Sequence, residues 1–217
     1  MNACCGGRML AAVALFMTLA GAAPLAQEGR SAAPALNPPW PRLVIDVRGA
    51  TSTMPDEATF YPPLPADALV PARGFGLEAG AHTYAGRLGP ARLGVGANFM
   101  VVRATQGEQT TVNARFLSPQ LSFNFGGAQG WSYIGGGLGV ASIRGQQSDP
   151  AVGEMASRSS GSLMTFHVGG GARWFITPHM AVSFDVRMHR LGSGTGDDGI
   201  STAPATLIAA SVGVSLK

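Results

Sequence analysis

The sequence predicts an all-β fold, an eight-stranded antiparallel up-and-down transmembrane β-barrel, and three observations carry that prediction. Segments of roughly ten residues alternate apolar and polar side chains, the charges keep to one face of each alternation, and the connections run long and short in turn. Successive strand side chains point to opposite faces, and ~9 to 11 residues suffice for a tilted strand to cross a bilayer. Long loops at one end and short turns at the other fit a barrel inserted in a membrane.

Composition supports the same class. Charged residues are 12% of the 217, about half the usual ~25%, yet no long hydrophobic run follows the first 26 residues. The chain is apolar by alternation. Its formal charge is +3 and its pI about 9.3, but the basic residues are arginines, apart from Lys217, scattered without a run. That is no nucleic-acid footprint, and nucleic acid is not an expected partner. The 31 glycines lack the three-residue period of collagen, so they belong in strands and turns.

Residues 1–26 read as a signal peptide. Arg8 supplies the positive region, Met9 to Ala20 the apolar stretch, and Gly21, Ala22, Ala23 and Ala26 the small residues of a cleavage site near Ala23 or Ala26. The alternative is an uncleaved anchor over the uncharged stretch Met9 to Ala26. Cys4 and Cys5 precede the apolar stretch, so the exported chain is expected to hold no disulfide. Residues 27–42, rich in Pro and Ala, read as an extended lead-in, and 43–217 as the barrel.

The strands follow in order. Leu43 to Ala50 sets Leu43, Ile45 and Val47 against Val44, Asp46 and Arg48, and a long proline-rich loop, Thr51 to Arg73, comes next. Gly74 to Thr83 places Phe75, Leu77, Ala79 and Ala81 opposite Glu78 and His82, with a turn at Arg87 to Pro90. Arg92 to Val102 sets Leu93, Val95, Ala97, Phe99 and Val101 against Arg92 and Asn98, and a polar loop of some nine residues is expected from Arg103. Val112 to Phe125 contains Pro119, which has no donor for the ladder and implies a bulge or an unpaired acceptor. Trp131 to Ser142 carries glycines opposite Ile134, Leu138 and Val140, and Arg144 to Ser160 reads as a long, polar, mobile loop. Leu163 to Phe175 puts Met164, Phe166, Val168 and Trp174 opposite His167 and Arg173. Met180 to His189 separates Met180, Val182, Phe184, Val186 and Met188 from Asp185, Arg187 and His189. The closing strand, after a loop at Gly192 to Thr202, alternates through Ile208, Ala210, Val212, Val214 and Leu216.

Alternation by itself does not say which face meets which environment. In a soluble lipocalin-like barrel that binds an apolar ligand, the apolar face points inward and the charged face meets water. Here the polar faces consist of Gly, Ser, Asn and isolated charges and contain no Lys, a poor solubilising surface. The apolar faces are therefore assigned to lipid and read as free of charge. Asp46, Arg48, Glu78, His82, Arg92, Arg173, Asp185 and Arg187 are assigned to a structural polar network filling the interior. An eight-stranded barrel has room for little besides side chains, and buried unpaired charge is costly. Each of the three acids is accordingly expected beside an interior arginine, in a closed polar interior.

The stretches YIGGGLGVA (133 to 141) and FHVGGGARWFITPHMAVSFDVRM (166 to 188), together with the final strand, resemble the small outer-membrane β-barrel proteins of Gram-negative bacteria. These are similar to the OmpA transmembrane domain, OmpX and the opacity-type antigens. The resemblance spans about Leu43 to Lys217. It implies an outer-membrane location, contact with outer-membrane lipid and lipopolysaccharide, and insertion by the barrel-assembly machinery. It also implies a structural or surface-interaction role through long extracellular loops, whose sequences name no partner. Members typically end on an aromatic residue, whereas this chain ends Ser215, Leu216, Lys217.

Some such barrels modify lipid. The deacylase type resembles His-x-Ser, but His167 is followed by Val168 and Gly169, and His189 by Arg190 and Leu191. Glu78 and His82 share a strand face and are read as an interior polar pair in preference to a general acid and base. The four histidines lack ligand spacing, Asp197 and Asp198 read as a solvated loop, and the glycine runs precede no helix. No enzymatic activity, no metal and no cofactor are expected.

Overall fold

The computed structural model describes residues 40–63, 69–107, 110–149 and 154–217. The signal peptide and most of the lead-in lie outside the described residues. The strands are β1 (Leu43–Thr53), β2 (Arg73–Leu88), β3 (Ala91–Gln106), β4 (Thr110–Gly127), β5 (Gly130–Asp149), β6 (Glu154–Ser159), β7 (Leu163–Phe175), β8 (Met180–Leu191), β9 (Gly194–Thr195), β10 (Ser201–Thr202) and β11 (Thr206–Leu216). A ring of 8 antiparallel strands runs β1-β2-β3-β4-β5-β7-β8-β11 and closes through β11 onto β1, with Ile45 opposite Leu216 and Asp46 opposite Ser215. Closure leaves no edge of the ring unpaired.

The period of two decides what faces where. Val47, Leu77, Phe99, Leu121, Leu138, Phe166, Val182 and Val212 stand exposed on the outer surface. Asp46, Arg48, Glu78, His82, Arg173, Asp185 and Arg187 are buried within. A belt this apolar suits hydrocarbon and not water. The lipocalin-like arrangement, with charge outward, is not the one this chain adopts.

Several sequence expectations are corrected. The nine-residue loop after Arg103 does not exist, because β3 runs to Gln106 and β4 begins at Thr110, with Thr105 opposite Thr111. The segment Arg144 to Ser160 is mostly a hairpin: the end of β5 pairs with β6, Arg144 opposite Ser159 and Ser148 opposite Met155. Both stretches alternate, but with the opposite sense to the membrane belt. Within and beside them Ala104, Val112, Ala114 and Ile143 point inward and Arg103, Asn113, Arg115 and Arg144 outward. Arg115 therefore lies on the outer face of β4, which is charge-free only from Leu117 onward.

Pro119 interrupts the β4–β5 ladder without a bulge. Pairing breaks after Leu117 opposite Val140 and resumes in the same register at Leu121 opposite Gly136. The gap is bridged by close approach, since a Cβ at Gly137 would collide with the Pro119 carbonyl oxygen.

Candidate functional site in the barrel lumen

The lumen holds three layers. In the central layer Asp46 accepts hydrogen bonds from Arg173, with Nε 3.0 Å from Oδ1 and Nη2 2.6 Å from Oδ2, and from the Ser215 hydroxyl. Arg48 Nη2 stands 2.9 Å from the same carboxylate, and so does His82 Nε2. Arg48 also reaches Glu78 (3.0 Å) and Ser183 Oγ (3.0 Å). Glu78 accepts from Ser211 Oγ at 2.7 Å and lies 3.4 Å from Arg187. Asp185 takes Arg187 Nε at 2.8 Å and the Tyr133 hydroxyl at 2.5 Å. Three carboxylates thus face three guanidiniums, drawn from β1, β2, β7 and β8, and formal charge cancels where water is excluded. Paired and hydrogen-bonded in this way, each ion avoids the heavy cost of isolated burial.

Arg92 stands apart from this cluster. It is only half-buried, and its guanidinium lies over the Trp40 ring, 5.0 Å from the centroid. The periodicity of β3 puts it inside, but at the first turn of the strand, below the carboxylates. Glu78 and His82 likewise do not pair with each other. Glu78 belongs to the two arginines, and His82 sits between Asp46 and Gln120, whose Nε2 is 3.1 Å from His82 Nδ1.

The layer at the end bearing Trp40 and Lys217 is aromatic. Trp40 packs against Trp131 (4.6 Å between centroids) and edge-on to Tyr84 (5.5 Å), and Trp131 meets Phe175 at 5.3 Å. Arg173 stacks over Tyr133 at 4.5 Å, joining this layer to the ion cluster. Lys217 closes the rim, its Nζ 3.8 Å from the Phe175 centroid and donating to the Ala128 carbonyl at 2.9 Å. Burial favours the neutral amine and lowers the Lys217 pKa.

The layer at the loop end is apolar, contrary to a uniformly polar interior. Met100, Val102, Val112, Ala114, Phe116, Ile143, Leu163, Leu191 and Leu207 point into the lumen and pack with Met54, Phe60 and Tyr61 from the first loop. Inward positions change from charged to aliphatic as the strands rise above the belt, where water replaces lipid outside and burial inside becomes the favourable place for carbon. His167 and His189 lie at the junction, their rings 5.6 Å apart, with Phe116 4.7 Å from His189.

The first loop is tied down at several points. Tyr61 donates to the Pro55 carbonyl at 2.5 Å, Arg158 donates to the Tyr61 carbonyl at 3.2 Å, and the Ala203 amide donates to Thr59 Oγ1 at 3.1 Å. Arg158 also pairs with Asp198 at 3.1 Å. Between the ion cluster and the apolar layer, a cavity of about 10 Å³ is lined by residues including Glu78, Phe116, Arg187 and His189. It has room for one water at most. Among the described residues no group of His, Cys, Asp and Glu is placed to hold a metal ion.

The architecture has close parallels among solved structures. Over 82% of this chain and 97% of its own, Neisserial surface protein A superposes with a TM-score of 0.54 at 14% identity. A major outer membrane protein from Thermus thermophilus matches with a TM-score of 0.53 at 11% identity, over 80% of this chain and 98% of its own. Ail, the attachment invasion locus protein of Yersinia pestis, gives 0.50 at 13% identity, over 80% and 96%. The fold is that of the small outer-membrane β-barrels. No protein-family model matches the chain, and no curated protein matches it in sequence.

Proposed function

We propose that this chain is an integral outer-membrane β-barrel of a Gram-negative bacterium, closed to solutes and without catalytic activity. Its role is structural or one of surface interaction through the loop end. The observation that carries this reading is the filled lumen: an aromatic layer, a charge-balanced ion cluster and an aliphatic layer stacked across the barrel. The buried acids and arginines hold one another beside a cavity with room for one water at most, so they act as filling and not as a reaction centre. The longer connections face the cell exterior, by the rule that outer-membrane barrels keep short turns on the periplasmic side.

The test combines location with conductance. Cell fractionation should place the protein in outer membranes with a heat-modifiable gel band, and the purified barrel should give no discrete current steps in a planar bilayer. A soluble periplasmic protein, or reproducible single-channel openings, overturns the proposal.

A further inference from the structure

Outside the lumen, Arg103, Arg115 and Arg144 stand exposed on three adjacent strands. Arg103 is directly opposite Asn113, and Asn113 directly opposite Arg144. Arg115 lies one outward position lower on β4, between Val101 and Ser142. With strands spaced ~4.8 Å apart, the backbones of Arg103 and Arg144 are about 10 Å apart and Arg115 falls between them. A groove of about 250 Å³ follows the cluster on β4 and β5, lined by Asn113, Arg115, Ser142, Arg144 and Gln146.

Two features make this group unlike ordinary surface arginines. Among the described residues none of the three has a carboxylate in ion-pair range, whereas Arg158 on the neighbouring hairpin is paired with Asp198. Like charges on neighbouring strands repel, and no described carboxylate offsets them. The cluster also lies directly above the apolar belt, whose last outward residues here are Val101, Leu117 and Val140. That is the level of lipid headgroups. Guanidinium forks match phosphate oxygens in pairs, and Asn113, Ser142 and Gln146 add neutral donors between them.

We propose that Arg103, Arg115 and Arg144, with Asn113, Ser142 and Gln146, form a docking site for the phosphate groups of an outer-leaflet glycolipid. The assignment rests on the outer-membrane reading above. Outward alternation, the shared groove and the like charges on three adjacent strands select the residues, and the height of the cluster selects the source of the phosphate.

The full-length protein is folded into phosphatidylcholine nanodiscs and titrated with diphosphorylated lipid A, dephosphorylated lipid A and inorganic phosphate. The R115Q/R144Q pair is compared with R42Q/R87Q, two exposed arginines at the opposite end, which controls for net charge. The first pair should weaken binding of diphosphorylated lipid A by about tenfold or more, the second by less than about twofold, and dephosphorylated lipid A should bind the wild type as weakly as it binds R115Q/R144Q. Equal loss in both pairs, equal binding of the two lipids, or displacement of lipid A by millimolar phosphate overturns the assignment. Each protein is scored on its heat-modifiable fraction, and Arg144→Lys, which retains the charge but loses the fork, should bind more weakly than the wild type and more tightly than R115Q/R144Q. A wild-type protein that will not enter nanodiscs sinks the membrane reading itself, whereas insertion without phosphate discrimination sinks only this site.

Discussion

Arg173 on β7 grips Asp46 on β1 through two nitrogens, at 3.0 and 2.6 Å, with both side chains fully buried inside the ring. Removing the carboxylate strands Arg173 and half-strands Arg48, a change that typically costs about 3–5 kcal/mol. Asp46→Ala is therefore expected to lose that much in urea unfolding from lipid vesicles. The double variant Asp46→Ala/Arg173→Met should recover part of the loss, and a double variant no more stable than the single one would show that the two residues are not coupled.

Glycine at 171 is a packing requirement. A Cβ there would collide with the Phe184 carbonyl and stand 2.8 Å from the Tyr133 hydroxyl that binds Asp185. Gly171→Val should lose at least about 1–3 kcal/mol or yield no compact band on unheated gels. Gly49→Ala, where the nearest atom would be 3.8 Å away, should fold like the wild type, and equal behaviour of the two variants would refute the argument.

Trp40 is the described lead-in residue that reaches the ring interior, through Trp131, Tyr84 and Arg92. At about 0.5–1.5 kcal/mol for each aromatic pair, Trp40→Ala should cost about 1–3 kcal/mol. It should also remove the near-UV circular dichroism arising from the coupled indoles. An unchanged spectrum would place Trp40 elsewhere in solution.

Burial, reinforced by Asp56 and Glu57, pushes the Tyr61 hydroxyl up to about 12 from 10.0. Because the folded value is raised, the contribution of this group to stability is complete below pH ~10 and is lost as pH climbs through about 12. The difference absorbance titration of wild type minus Tyr61→Phe should show a phenolate step near 12. A step near 10 would mean that the loop does not cover the barrel mouth.

The ring and its orientation were legible from residues such as Asp185 and Arg187, because a period of two with charge on one face admits few other readings. Arg103 to Gln106 and Arg144 to Gln147 were harder, for there the outward residues are charged or polar, and a rule tuned to lipid outside takes that for loop. The pairing of β5 with β6 joins residues whose polarity resembles any solvated segment, so nothing local marked it. Arg92 shows a second limit: its face followed from alternation, but its partner depended on Trp40, which lies in a segment without periodicity.

The inversion of polarity along the strands fixes how deep the barrel sits. The crossover passes between Phe75 and Arg73 on β2, Val101 and Arg103 on β3, Leu117 and Arg115 on β4, and Met188 and Arg190 on β8. Sliding the molecule inward by one outward position, roughly 7 Å along a strand, would drown all four guanidiniums. Sliding it outward would lift a collar of hydrocarbon side chains into water. The chain thus carries its own waterline, written on the outer face of the strands whose inner face closes its mouth.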